Sequence, residues 1–389
     1  MQKFYAGIDV GTHYIKVVVA TPPQHNDAPM QILSTATSAS KGIRHGYIVD
    51  VKEAARAIHD AVHRASQAAR IPVKSARIAM GGVSLEEVRS TADITLTASG
   101  GIVTEHEMER VLAESEKRAS SRLNNRTVVH VIPLEYRLDG IPVQGRPLGL
   151  QGTKLSADTL LITMLAQHHD DLIEAVEAAG VEVDGIMASP LAASLVTLSK
   201  AQKTAGVILA NIGAETLSLV IFDNDIPISL KVFPTGSADI TNAIALSFQV
   251  PLSEAEQLKR GAVTGSTITP TRISNVATVQ LKKMFALISA HLKSIKRDRL
   301  LPAGIVLTGG GASMATTADI AKTALKLPSQ IGVPVMSARA STLDATWAVS
   351  LGLCRWGFAE DRIGRHHPLG DIIERMMDAV KSVFRSLLP

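Results

Sequence analysis

Three apolar runs that end in glycine turns, in a fixed order, constrain this chain more than any other feature. The first is Phe4-Tyr5-Ala6-Gly7-Ile8-Asp9-Val10-Gly11-Thr12. The second runs from Gly206 through Asn211-Ile212-Gly213-Ala214-Glu215-Thr216 to Ile221. The third is Gly304-Ile305-Val306-Leu307-Thr308-Gly309-Gly310-Gly311-Ala312. After their turns the first two resume as a second apolar strand, which predicts one strand–turn–strand hairpin in each half of the chain. The third is a strand whose glycine triplet can lie against a flat ligand. Glycine permits a tight turn and close backbone approach, and successive N–H groups in such a turn form an anion-binding concavity. One hairpin with glycine is ordinary punctuation. Two of them about two hundred residues apart, followed by the triplet, point to a phosphate ligand shared between two halves.

The pattern around these runs supports a duplication. Strands are expected at 4–20 on either side of the first turn and at Gln31–Ala36. A helix follows over Val51–Arg70, with Ala54, Ala55, Ile58, Ala61, Val62, Ala65 and Ala69 on one face, and then a strand at Ala76–Met80. The next block changes character. Val88–Leu96 alternates like a strand, and Thr104 and Glu107 form a capping box with Val103 and Met108 as a staple. Val128–Ile132 is a strand, Pro133–Gly152 is rich in Pro and Gly, and Lys154–Met164 is a further strand. This predicts a small α+β subdomain inserted over about 83–162. A helix over His168–Gly180, a strand at Val183–Met187 and a helix at Ala192–Ser199 complete the first half. In the second half, helices are expected at Ser237–Ser247, Ser253–Gly261, Asn275–Lys296 and about Thr342–Phe358, with Thr264–Ser274 as a loop or small subdomain.

Composition excludes several classes. Aromatic residues are only 3%, which argues against an aromatic-lined groove for sugar or single-stranded nucleic acid. The 40 basic and 36 acidic residues are too balanced to imply nucleic acid. A lone cysteine, Cys354, fits a reducing cytoplasm rather than a disulfide framework. No signal peptide is expected, and no apolar run reaches the ~18 residues of a membrane span. His168-His169-Asp170-Asp171 looks like a metal cluster, but neighbouring side chains on a helix diverge, so helix N-capping is the expected role. There is no P-loop, His-Glu-x-x-His or Gly-x-Ser-x-Gly motif.

The end of the chain stands apart. Asp361–Gly370 lacks periodicity and reads as a linker. Beyond it, Ile372, Ile373, Met376, Met377, Val380, Val383, Phe384, Leu387 and Leu388 fall on one helical face over 371–389. Such a helix suits a membrane surface or packing onto the body or a partner. Its basic and acidic charges cancel.

The paired hairpins and the triplet resemble the actin-like ATPase superfamily, in which two similar lobes clamp ATP between two phosphate hairpins. Within it, the chain resembles the FtsA family of bacterial division proteins. The segment Gly7-Ile8-Asp9-Val10-Gly11-Thr12-His13-Tyr14-Ile15-Lys16 is similar to that family's first phosphate segment. His130-Val131-Ile132-Pro133-Leu134-Glu135-Tyr136 with Pro147-Leu148-Gly149-Leu150 resembles the signature of its inserted subdomain 1C. The segment 304–312 resembles its adenosine segment, and the terminal helix is a further shared feature.

The resemblance implies an α/β, two-lobed, actin-like (ribonuclease H-like) ATPase fold with an inserted 1C-type α+β subdomain. Lobe 1A would take 1–82 and 163–202, subdomain 1C 83–162, and the second lobe 203–360, with a reduced 2B near 262–285. A linker at 361–370 and a membrane-targeting helix at 371–389 would follow. It implies ATP and Mg2+ as ligands, with Asp9 holding magnesium through water. Gly11, Thr12 and Lys16 would surround the phosphates from one side, and Asn211, Gly213 and Thr216 from the other. Glu256 and Lys259 would lie beside the ribose and base, and Gly309, Gly310 and Gly311 would back the adenosine. It further implies self-association into filaments, FtsZ, other division proteins and lipid as partners, no nucleic acid, and a place on the cytoplasmic side of the membrane.

Two positions depart from the family's usual Asp-Ile-Gly-Gly-Gly-Thr. Asn211 cannot supply a negative charge near magnesium, and Glu215 puts a carboxylate in a turn that should face phosphate. Both changes predict weak hydrolysis or none. The short 2B region would alter the surface that docks FtsZ. The competing readings are a PilM-like platform protein and an actin-fold small-molecule kinase or ATPase.

Overall fold

The computed structural model describes residues 3–22, 30–97, 99–262, 268–334 and 343–364. The first lobe begins with β1 (Tyr5–Val10), β2 (Tyr14–Thr21) and β3 (Gln31–Ala39). A small hairpin of β4 (Ile43–Arg44) and β5 (Tyr47–Ile48), helix α1 (Val51–Ala69) and β6 (Ser75–Met80) follow. Helix α1 starts where the Asp50 side chain accepts the Glu53 N–H and ends at Arg70, whose φ is 56°, so both termini are capped locally.

The chain then leaves for the inserted unit: β7 (Glu86–Thr95), α2 (Glu105–Ala119), β8 (Arg126–Leu138), β9 (Ile141–Val143) and β10 (Lys154–Leu165). These strands form a separate antiparallel sheet in the order β7-β10-β8-β9. Helix α2 closes its small core through Met108, Val111 and Leu112. At its start the Glu107 carboxylate accepts both the Thr104 N–H, at 3.3 Å, and the Thr104 hydroxyl. The chain re-enters the first lobe with α3 (Ala166–Ala178), β11 (Glu182–Ala188), α4 (Ser189–Thr197) and α5 (Lys200–Ala205).

The second lobe comprises β12 (Val207–Ile212), β13 (Leu217–Asp223), β14 (Ile226–Phe233), α6 (Ser237–Phe248), α7 (Leu252–Lys259), α8 (Pro270–Ser294), β15 (Ile305–Thr308), α9 (Thr317–Leu325) and β16 (Ser329–Ile331). The last helix, α10 (Ala348–Gly364), returns to pack on the sheet of the first lobe, whereas the expected boundaries put it in the second. The sheet order of the second lobe, β14-β13-β12-β15-β16, repeats the β3-β2-β1-β6-β11 order of the first lobe. In each, an antiparallel hairpin leads and its first strand pairs in parallel with the next. The period of two along these strands sends Val207, Leu209, Val220 and Phe222 into a core shared with the first lobe. Ile208, Ala210, Leu219 and Ile221 go into a second core under α6 and α8. Helix α4, apolar on nearly every side, touches strands of both sheets and packs on α10, which lies against β1, β2 and β6 of the first lobe. The thiol of Cys354 is buried there, and burial pushes it up to about 12, so it is inert.

Several expectations change. β8 runs through Pro133 to Leu138 instead of stopping at Ile132. The ladder shifts register between Asp158/Thr159, which face Glu135 and Pro133, and a bulge is where a strand tolerates proline. Helix α8 begins at Pro270 rather than Asn275, inside the segment expected to be a loop or small subdomain, because proline at the first helical position gives up only an N–H that has no partner there. Helix α3 begins at Ala166 without a side-chain cap, so capping is not the role of His168 and His169. The His168 ring stacks on Tyr47 at 3.9 Å and its Nδ1 lies 3.0 Å from Ser84 Oγ. Helix α10 continues through Gly364, four residues into the expected linker. The rest of that linker and all the tail positions, Ile372 to Leu388, lie outside the described residues. Among the described residues no helix is long and apolar enough to cross a membrane.

Candidate functional site

Between the lobes lies a cavity of about 1050 Å³, at the upper end of the usual range for a small-molecule pocket. It is lined by all twelve residues expected to hold nucleotide: Asp9, Gly11, Thr12, Lys16, Asn211, Gly213, Thr216, Glu256, Lys259, Gly309, Gly310 and Gly311. They come from four separate chain segments, and the fold alone brings them together.

In the first lobe the turn after β1 is tight because Gly11 has no Cβ; one would lie 2.8 Å from the Tyr14 carbonyl oxygen. The Ser40 hydroxyl donates to the Gly11 carbonyl at 2.5 Å. Asp9 and Lys16 face each other across the β1–β2 ladder, with Lys16 Nζ 3.8 Å from Asp9 Oδ2. Lys16 is thus a cavity residue. Burial raises the Asp9 carboxyl above its usual value, and the Lys16 charge offsets this only in part. A divalent cation would supply the charge this carboxylate lacks.

The second turn closes with the Gly213 N–H donating to the Thr216 carbonyl at 2.8 Å. The start of α6 braces it, since the Ser237 and Ala238 N–H groups donate to the carbonyls of Gly213 and Ala214 at 2.9 and 2.8 Å. Those helix amides are therefore already used. Asn211 Oδ1 lies where a Cβ on Gly309 would have to go, and Gly309 has φ 83°, so glycine is required there twice over. Gly311 packs on Ile212. Around Gly310 there is nothing within 4 Å of an added Cβ; that position opens onto the cavity.

Glu256 and Lys259 are more than a solvated helix pair. Lys259 Nζ lies 2.6 Å from Glu256 Oε2 and donates to Thr241 Oγ1 at 2.8 Å and to the Ser237 carbonyl at 3.2 Å. Thr241 Oγ1 donates to Glu256 Oε2 at 2.6 Å and Arg260 Nε to Oε1 at 2.8 Å. Burial alone would raise the Glu256 carboxyl, but these donors outweigh it and hold it at about 2. The network fixes the side wall of the cavity as an anion with its own counter-ions.

Glu215 corrects the sequence reading. It does not line the cavity; its carboxylate turns to the first lobe and accepts the His45 N–H at 2.6 Å. The sequence reading also missed His13, Ser237, Thr241 and Gly82, which line the same cavity. His13 sits in the first turn motif, which could have flagged it. Burial lowers its pKa, and Arg260 lowers it further. Among the described residues no group of three or more His, Cys, Asp or Glu is placed to hold a metal on protein ligands alone.

Two family models match this chain. One, described as cell division protein FtsA, matches residues 208–352, and one described as the SHS2 domain inserted in FTSA matches residues 82–163. The cell division protein FtsA of Borreliella burgdorferi is 26% identical over 95% of this chain and 94% of its own length. That of Pseudomonas aeruginosa is 26% identical over 93% and 91%, and that of Bacillus subtilis 26% over 85% and 79%. Among solved structures, a chain of a PilM–PilN type IV pilus biogenesis complex superposes with a TM-score of 0.67 at 20% identity, over 91% of this chain and 98% of that one. MreB5 of Spiroplasma citri bound to ADP gives 0.54 at 13%, over 94% and 98%. These likenesses show an actin-like fold with an inserted subdomain.

Proposed function

The chain belongs to the FtsA family of bacterial cell-division proteins, and from that premise we propose that it binds ATP with magnesium between its lobes, assembles on the inner face of the cytoplasmic membrane and tethers FtsZ filaments there. The observation that carries the nucleotide part is the convergence of twelve residues from four chain segments on one cavity. Phosphates would sit between the Gly11–Thr12 and Gly213–Thr216 turns, and adenosine along Gly309–Gly311, with Glu256 and Lys259 beside it. Magnesium, held near Asp9, would neutralise phosphate charge; Mg2+ commonly keeps its waters and takes one or two carboxylates plus phosphate oxygens. With Asn211 in place of a second carboxylate, turnover should be slow or absent.

The membrane part rests on the sequence of residues 371–389. Full burial of a large aliphatic side chain is worth roughly 1.5–3 kcal/mol. Interfacial insertion buries the apolar face only in part and must first fold the helix, so one copy binds weakly. An assembly presents many copies, and linked binding raises avidity without new contacts. Flotation with liposomes tests this. The full chain with ATP should co-float and carry FtsZ with it, whereas a chain lacking 371–389, or Phe384→Glu, should bind ATP yet stay below the lipid. Equal flotation of the truncated chain would overturn the membrane role.

A further inference from the structure

Beside the cavity, the lobes also meet through a contact that nucleotide binding does not require. Glu215 Oε2 accepts the His45 N–H at 2.6 Å, and the Glu215 carbonyl oxygen lies 3.4 Å from His45 Nδ1. The two residues belong to opposite lobes. His45 and Gly46 form the turn between β4 and β5, with φ of 48° and 80°. Two positive values in succession fit a two-residue hairpin turn of type I′.

Both ends of this contact are held rigidly. A Cβ on Gly46 would lie 2.5 Å from Gly82 Cα, so the first-lobe turn sits directly on the strand end that lines the cavity. On the other side, α6 braces Gly213 and Ala214, and the Glu215 backbone lies against Gly236. The Glu215 side chain is only 23% exposed, so water competes for its oxygens in part. A carboxylate bound to an N–H is roughly twice as strong as a neutral pair. A second contact crosses the cleft at the other turn, where Arg260 Nη2 lies 3.4 Å from His13 Nε2.

We infer that Glu215 is a positioning residue that ties the second glycine hairpin to the β4–β5 turn of the first lobe, and so holds the two lobes at a fixed separation whether or not nucleotide is bound. The inference rests on the nucleotide reading of the cleft. A ligand shifts a conformational equilibrium only by its differential affinity for the two states. Where closure depends on phosphate bridging the hairpins, the lobes report the nucleotide. Where a protein contact already closes them, little is left for the ligand to shift. The interlobe distance of this chain is then insensitive to nucleotide, and bound nucleotide leaves slowly.

The test is an interlobe distance by fluorescence transfer in the full chain, labelled at Lys52→Cys and Leu246→Cys; the buried Cys354 does not compete for label. The distance and the release of fluorescent ATP are compared for the otherwise unaltered chain, Glu215→Ala and Glu215→Gln. The unaltered chain should show one distance with and without Mg·ATP. Glu215→Ala should open without nucleotide, close on adding it, and release it faster by on the order of 10-fold. Glu215→Gln keeps an oxygen that accepts the His45 N–H but loses the charge, so it should fall between the unaltered chain and Glu215→Ala in both distance and release. The inference is overturned if the unaltered chain opens and closes as far as Glu215→Ala. If no form binds nucleotide, the nucleotide reading fails, and the nucleotide-free distances still decide whether Glu215 holds the lobes.

Discussion

The two glycine-turn hairpins share one plan and differ in charge. Val10 pairs with Ile15 around the turn Gly11–Tyr14, and Ile212 pairs with Leu217 around the turn Gly213–Thr216. One rung below, Asp9 faces Lys16 in the first hairpin, and Asn211 faces Ser218 in the second. The backbone of the duplication is kept while the ion pair exists in one copy only. The second hairpin has a carboxylate, Glu215, but spends it on the other lobe. The glycine-turn backbone is thus supplied twice, and the carboxylate facing the cavity from a hairpin once.

The most severe test of treating both hairpins as halves of one site lies in the triplet between them. Gly310→Leu should lower ATP affinity at least ~100-fold, about 2.7 kcal/mol. The melting temperature should hold, because a Cβ there meets no protein atom. Calorimetric titration reads the first and thermal unfolding the second; unchanged affinity would mean the cleft is not the nucleotide site.

Restoring the missing charge sharpens the comparison. Asn211→Asp should raise steady-state phosphate release by roughly tenfold, about 1.4 kcal/mol in the barrier. The unaltered chain should stay well below the ~1–100 per second of kinases. Phosphate release in that range without the substitution would show that one carboxylate suffices.

The smallest effects are in pH. The Asp9 carboxyl is raised by burial, so its ionised form opposes folding. Relative to Asp9→Asn, the chain should lose stability as pH rises from below 3.8 through the raised value. Glu256 has the opposite sign. Its carboxyl is held at about 2 against 4.5 when unfolded, so its contribution is present above pH 4.5 and fades as pH falls toward 2. Glu256→Gln should therefore narrow its stability gap to the unaltered chain in acid. Melting curves across this range that move both variants the same way would contradict the contrast.

Much of this was legible because it is local. Glycines at 11, 213 and 309–311 end apolar runs, and the strand periodicity on either side defines the two hairpins without reference to the rest of the chain. Glu256 and Lys259 were placed by position, but their tie to Thr241 and Ser237 on α6 was not visible in their own helix. Glu215 was misread for the same reason. Its place in the turn is local, while its partner, His45, is 170 residues away. The strand through Pro133 and the helix that starts at Pro270 show proline at the two sorts of position where the element continues, a bulge and a first turn. Sequence periodicity does not distinguish these from a break.

The account's central claim is that two like hairpins hold one nucleotide and that the metal-attracting charge sits on the first alone. Titration of ATP with and without magnesium into the unaltered chain, Asp9→Asn and Asn211→Ala tests it most directly. The account predicts that magnesium strengthens binding in the unaltered chain and in Asn211→Ala, and that Asp9→Asn loses that gain. Full magnesium dependence in Asp9→Asn, or its loss in Asn211→Ala, would contradict it.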